Sequence, residues 1–334
     1  MFRIDRIGMA VSLFLMIFTS ACQTVNIGKM NESIIQAESH LNVIKGFDYL
    51  EPNKLYPDDF NQAEKKYSDA LENSKKGKRD KAYEDALQSI EASNQMLKKI
   101  AVGPLRQKAI EVKSEIESKG PDSSLRDLLP KLNKILEYTK QIEDGQQQFM
   151  VGSLINTRDG LDGIRTAVKN RKELKIGSDI SFKIGKYKVA DLSGEAKKIL
   201  EKLVEDIVSA RNNYTKQYSK MIVNIKAMAY TDETPFSDGS KLLKELAESV
   251  NCPMRSQSER RKCFNNRLSE LRAETIANYM EQRVLGYKSK EINIQIQKKF
   301  VGKGENIPPD VAPPYPTDDQ RRRICNVESY CSFE

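Results

Sequence analysis

The sequence contains no tryptophan and one histidine, His40. The lack of indole rings argues against a sugar-binding cleft built on stacked tryptophans. A single imidazole excludes a multi-histidine zinc site. A Ser-His-Asp hydrolase would have to use His40, which lies in a helical, Lys/Glu-rich stretch. No motif sets a nucleophile beside a general base and an oxyanion hole, so no catalytic residue, metal or cofactor is expected. Glycine (17) and proline (12) are too scarce for a collagen-like or low-complexity chain. Charge of one sign does not dominate either. The net charge is +8, but acidic and basic residues interleave as on a solvated helical face, so no nucleic-acid partner is expected. Long apolar runs are also missing. Ile7–Phe18, as a helix, reaches only ~18 Å, short of the ~30 Å hydrocarbon core of a bilayer.

That short run follows Arg3 and Arg6 and leads through Thr19-Ser20-Ala21 to Cys22. It reads as the apolar core of an export signal over residues 1–21, not as a membrane span. A cysteine directly after small residues resembles the bacterial lipobox, with Thr19 where that pattern usually has leucine. The resemblance implies that Cys22 carries diacylglycerol and becomes the new N-terminus, with residues 22–30 as a lipidated tether. Several acyl chains, palmitate among them, would give durable membrane attachment. Gln23 in place of aspartate implies, by the same resemblance, the outer membrane, facing the periplasm. Apart from Cys22, four cysteines remain: Cys252, Cys263, Cys325 and Cys331. An even number in an oxidising compartment is expected to be disulfide-bonded. Three pairings are open, and the local one, Cys252–Cys263 with Cys325–Cys331, costs least in chain entropy.

Residues 31–170 read as a helical domain. Phe60, Ala63, Tyr67 and Leu71 fall at helical spacing, as do Tyr83, Leu87, Ile90, Leu97 and Ile100. Lys75–Arg79 reads as the turn between them. Gly103-Pro104 and Gly120-Pro121 read as breaks, and Pro130 as a kink in the stripe Leu128, Leu132, Ile135 and Leu136. Alanines at positions 63, 70, 82 and 86 mark close helix packing.

The pattern changes near residue 178. Asp179–Ile184 alternates like a strand, and Ser193 caps a helix with Ala196, Leu200, Leu203 and Ile207 on one face. Val223–Ala229 alternates, Leu268–Met280 is helical, and Ile292, Ile294 and Ile296 alternate again. The expected class is therefore α+β: helical bundle or hairpins first, then a β-α-β-α-β domain with helices on one face of a mixed sheet.

Four motifs lie on these elements in order. They are Ala229-Tyr230-Thr231-Asp232, then Asn265 to Ala273 with Leu268, Ser269 and Arg272 at fixed positions, then Gly302-Lys303-Gly304-Glu305 with Pro308, then Arg321-Arg322-Arg323-Ile324. Together they resemble the OmpA-like C-terminal domain family, over residues 178–334. The resemblance implies noncovalent binding of peptidoglycan through the stem-peptide diamino acid, commonly diaminopimelate. One carbon of that residue bears both an ammonium and a carboxylate, so a site needs an anion and a cation close together. By the resemblance, Asp232 takes the ammonium and Arg272 holds the carboxylate with its planar fork. Asn265 and Arg322 are implied as peripheral polar contacts. The chain departs from the family in three places: Lys183 where many members have aspartate, Arg321 for the usual asparagine, and a long insertion over 233–264. Leu242, Leu243, Leu246 and Val250 suggest a helix within it.

Two functions accommodate these features. One is a lipid-anchored tether between outer membrane and cell wall. The other is a wall-anchored part of a secretion or motility assembly whose residues 31–170 dock a protein partner. The Cys22 anchor itself rests on the apolar run followed by Ser20-Ala21-Cys22. Cys22→Ser should therefore leave an unprocessed or soluble protein in a detergent-partition assay. Equal membrane partition of variant and wild type would contradict the anchor.

Overall fold

Helical spacing gives way to strand alternation along the chain, and the architecture follows that change. The computed structural model describes residues 25–334, apart from 178–180, 183–184, 215–218, 253–255, 288–291, 310, 314–315 and 334. The export segment 1–21, Cys22 and Gln23 lie outside the described residues, as do Asp179, Ile180, Lys183 and Ile184 of the expected first strand. Among the described residues no helix is long and apolar enough to cross a membrane. The chain forms two compact units. One holds the described residues up to Ala109 together with Ile135–Arg158, and the other holds Ile110–Lys134 and Asp159 onward. Residues 110–134 and 159–170 of the expected helical stretch thus group with the second unit.

The first unit is built on α1 (Ile27–Lys45), α2 (Pro57–Lys75) and α3 (Arg79–Ile100). Helix α1 begins inside the expected tether, because Asn26 caps it by accepting from the Gly28 amide at 2.9 Å. Gly77, at φ 72°, makes the turn between α2 and α3. Ala70, Ala82 and Ala86 are fully buried with Met30 and Ile34. Small side chains let the helices approach closely enough for Ser89 Oγ to donate to the Ala63 carbonyl at 2.8 Å. His40 is a packing residue. Burial lowers its pKa below the ordinary imidazole value, against the smaller opposing effect of the Ile90 backbone.

Two expected interruptions turn out differently. Gly103-Pro104 does not end the helix: Ala101–Leu105 forms a π turn that leads into α4 (Arg106–Ser118). The wider turn accommodates a proline, which lacks the amide a regular turn would use. Pro130 does not kink α5 (Leu129–Glu143). It sits in the first turn, where helix amides have no internal partner and proline is tolerated. Helix α6 spans Val151–Lys169.

The second unit carries a four-stranded mixed sheet in the order β1-β4-β2-β3. Its strands are β1 (Lys172–Gly177), β2 (Lys220–Ala229), β3 (Asn293–Gly302) and β4 (Ile324–Phe333). β2 and β3 run parallel with Ala229 opposite Gly302, and β4 is antiparallel to both β1 and β2. Helices α7 (Gly194–Tyr214) and α9 (Gln257–Gly286) pack on one face. There Val223, Ile225, Ala227, Val327 and Cys331 share a core with Leu200, Val204, Ala273 and Ile276. Ser193 caps α7 through the Ala196 amide at 2.9 Å. The insertion contains α8 (Lys241–Ser249), capped by Ser240.

Two of the four strands lie outside the sequence expectation. The first is β1; of the expected strand 179–184 only Ser181 and Phe182 are described, and Phe182 makes an isolated bridge to Leu192. As a short edge strand β1 turns only Leu174 and Ile176 to the core, the first partly and the second fully buried, too short an alternation to stand out in the sequence. The second is β4, which lies between β1 and β2 and is buried on both faces. On the face away from α7 and α9, Glu328 is 2% exposed and accepts from Ser123 Oγ at 2.7 Å, from the Ser124 amide at 2.6 Å and from Arg171. Residues 123–124 therefore cover part of the sheet's second face. Flanking ion pairs join Lys303 to Asp122 and Lys299 to Asp127.

The cysteine pairing is half of that expected. Cys252 and Cys263 form a disulfide, while Cys325 and Cys331 are free and buried. These two sit six residues apart on one extended strand, ~20 Å at ~3.3 Å per residue, far beyond the ~7 Å a disulfide can bridge. Burial pushes their thiols up to about 11 and about 12 respectively. Thiol labelling of a Cys22→Ser chain under denaturing, non-reducing conditions should find two free thiols, both unreactive in the native protein. No free thiol would contradict the free pair in β4, and four would contradict the Cys252–Cys263 bond.

Candidate functional site

The chain leaves β2 through Tyr230-Thr231-Asp232-Glu233, and backbone bonds fix each step. The Tyr230 amide donates to Ile324 O at 2.9 Å, Thr231 to Gly304 O at 2.8 Å and Glu233 to Thr317 O at 2.8 Å. This loop thus rests on the exits of β3 and the entry to β4. Its contact with the turn after β3 depends on two glycines. A Cβ on Gly302 would stand 2.5 Å from the Glu270 amide nitrogen and 2.6 Å from the Asn266 carbonyl. Gly304 has φ 55°, and its Cβ would stand 1.7 Å from Asn266 Oδ1. Ser269 Oγ accepts from the Gly304 amide at 2.9 Å and donates to Asn266 O at 2.8 Å. The glycines and the serine of the two motifs therefore bring β3 and its turn against α9.

Asp232 is 6% exposed. Its Oδ1 accepts from the Thr234 amide at 3.2 Å, and its Oδ2 accepts from Thr234 Oγ1 at 2.6 Å and from Arg323 Nε at 2.7 Å. Arg272 projects from α9 one turn past Leu268 and is 5% exposed. Its Nε donates to Lys186 O at 3.1 Å, and its guanidinium lies over the Phe182 ring, 5.6 Å from the centroid. Asp232 and Arg272, forty positions apart in sequence, line one cavity of about 260 Å³. Asn265 and Arg323 line it too. The insertion supplies Pro235, Phe236 and Leu242 as an apolar wall. Thr231 also lines the cavity, and its hydroxyl is buried without a hydrogen-bond partner.

The other two expected contacts hold the loops together. Asn265 Nδ2 donates to Asp232 O at 3.1 Å and to Glu305 Oε1 at 2.8 Å. Arg322 does not line the cavity. It donates to Glu233 Oε1 at 2.9 Å and to Glu305 O at 2.8 Å. Its hydrogen bond holds the Glu233 carboxyl below the ordinary glutamate value, against the opposing effect of partial burial. Arg261 completes the cluster with Glu305 at 2.8 Å and Glu233 at 3.0 Å. Sequence reasoning singled out Arg322 of three consecutive arginines, whereas its neighbour Arg323 is the one at the cavity. Arg261 and Glu233 lie in or beside the insertion, where the family pattern supplies no position to read. Among the described residues no group of three His, Cys, Asp or Glu side chains could hold a metal ion.

No family model and no curated protein matches the chain. Among solved structures it is similar to the periplasmic domain of MotB (16% identity, 49% of this chain, 64% of that one, TM-score 0.27). It is also similar to the OmpA-like domain of FopA1 from Francisella tularensis (20% identity, 49% and 73%, TM-score 0.24). A third is a putative MotB-like protein from Desulfovibrio vulgaris (16% identity, 71% and 96%, TM-score 0.26). The chain spans less than two thirds of that MotB domain. No site residue is assigned from these likenesses.

The glycine contacts give a direct test of how the site is assembled. Gly302→Ala should destabilise the protein by about 1–3 kcal/mol, because backbone atoms of α9 cannot rotate away from the new methyl. Urea unfolding of variant and wild type measures this, and an unchanged midpoint would contradict the close β3–α9 contact.

Proposed function

We propose that this chain is a cell-envelope protein that binds peptidoglycan noncovalently through the zwitterionic end of the stem-peptide diamino acid. The observation that carries the reading is one cavity lined by a buried carboxylate, Asp232, and a buried guanidinium, Arg272, contributed by distant parts of the chain. In this reading the ligand ammonium binds at Asp232 and the carboxylate on the same carbon binds the Arg272 fork. Phe236, Leu242 and Leu268 would take the methylene chain of the diamino acid. Acyl chains on Cys22 would hold the other end of the protein in the outer membrane. Many such tethers act in parallel, so avidity does not require tight binding at each pocket. The reading in which the helical residues dock an envelope partner uses the same pocket and differs only in what those helices meet.

Sacculus pull-down with Asp232→Ala, Arg272→Ala and the double variant tests the pocket. A hydrogen bond to a charged group contributes about 1.5–3 kcal/mol, so each single variant should bind about 10- to 100-fold more weakly. The losses should not add, because removing Asp232 already loosens the pose that Arg272 reads. Arg272→Lys should stay weak, since an ammonium keeps the charge but loses the fork. Soluble diaminopimelate should compete with wild-type binding. Undiminished binding by Arg272→Ala would remove the site. Binding lost only in variants that no longer fold, with no competition by soluble diaminopimelate in the wild type, would make the two residues structural.

A further inference from the structure

Arg323 occupies the position where the proposed ligand ammonium has to arrive. Its Nε donates to Asp232 Oδ2 at 2.7 Å, and a second guanidinium nitrogen stands 2.6 Å from the same oxygen. The pair is well buried, with 8% of the Asp232 side chain exposed and 17% of that of Arg323. Thr234 takes further lone pairs of the carboxylate, through its amide on Oδ1 and its hydroxyl on Oδ2. A carboxylate offers about four acceptor positions, so little of Asp232 is left for a newcomer. The described charged residues lining the cavity are one carboxylate, Asp232, and two guanidiniums, Arg272 and Arg323.

From this we infer that Arg323 is a specificity-determining residue that makes the pocket reject simple amines. The inference rests on the peptidoglycan-binding reading given above. A bare ammonium would have to share Asp232 with the Arg323 guanidinium and so weaken a well-buried ion pair without offering a new acceptor in return. An ammonium that brings its own carboxylate does not meet this cost. As it takes a share of Asp232, its carboxylate offers Arg323 and Arg272 new acceptors, so the ion pair weakened at Asp232 is replaced. Arg323 thus stands in for the ligand cation in the empty site and serves as a second carboxylate donor in the filled one. Specificity of this kind comes from a built-in penalty on the wrong ligand as much as from attraction to the right one.

Direct titration of the full chain with diaminopimelate and with cadaverine tests the inference. Cadaverine has the same spacing of amines and no carboxylate. Wild type should bind diaminopimelate and discriminate strongly against cadaverine. Arg323→Gln frees Asp232, so cadaverine should gain and diaminopimelate lose, and the affinity ratio should fall about 10-fold or more, the size of one charge-assisted hydrogen bond. Arg323→Met, neutral and of similar length, gives the same readout if the glutamine variant does not fold. Arg323→Lys, which keeps a cation beside Asp232, should retain most of the discrimination. A purely structural arginine would change melting temperature and leave the ratio alone. An unchanged ratio in the neutral variants, or a ratio lost equally in Arg323→Lys, would overturn the inference while wild-type binding of diaminopimelate upholds the pocket. A wild type that binds neither sacculi nor diaminopimelate would overturn both.

Discussion

The Asp232–Arg323 ion pair is the constraint around which the second unit is organised. It places a carboxylate at the end of β2 and a guanidinium at the entry to β4, both largely out of water. A buried charge left unpaired costs several kcal/mol, so neither residue can be moved alone. The loops that carry them are fixed by the neighbouring cluster, in which Arg322 and Arg261 share Glu233 and Glu305. Successive arginines thus serve different ends. Arg322 ties loop to loop, and Arg323 faces the cavity. Asn265 joins the two systems by donating both to the Asp232 carbonyl and to the Glu305 carboxylate.

The insertion over 233–264 gives this charged frame an apolar wall. Pro235, Phe236 and Leu242 line the cavity opposite its polar side, and the Phe236 ring meets Phe264 of α9 edge-on with centroids 5.9 Å apart. The Cys252–Cys263 disulfide closes the insertion just before Phe264 and Asn265. An apolar wall lowers the local dielectric, which strengthens the attraction of Asp232 and Arg272 for opposite charges and raises the cost of mismatched ones. Binding and discrimination in the proposed function would both draw on this wall.

Much of this arrangement was legible in the sequence where one physical signal dominated. Ser193 and Ser240 cap the helices expected there, and the alanines at 63, 70, 82 and 86 are all fully buried. The motifs brought Asp232, Asn265 and Arg272 to one cavity. Signals failed where two effects cancelled. β4 is hard to read because it is buried on both faces, and Ser329 and Tyr330 break the alternation of Cys325, Val327, Cys331 and Phe333 with polar residues. The same strand misled the cysteine count, since chain entropy favours a short loop that an extended backbone cannot close. β1 lay hidden because it is short, with one side chain fully buried and one partly. The role of Arg323 depends on which of three consecutive arginines faces the cavity, which spacing alone does not decide.

A crystal structure of the chain with diaminopimelate bound tests the central claim most directly. The account predicts ligand in the cavity beside Asp232 and Arg272, its ammonium about 3 Å from the Asp232 carboxylate and the adjacent carboxylate bridged by guanidinium nitrogens. It also predicts that Arg323 shifts its hydrogen bonds from Asp232 towards the ligand. Ligand bound elsewhere, with the Asp232–Arg323 pair unchanged and the cavity holding only water, would contradict it.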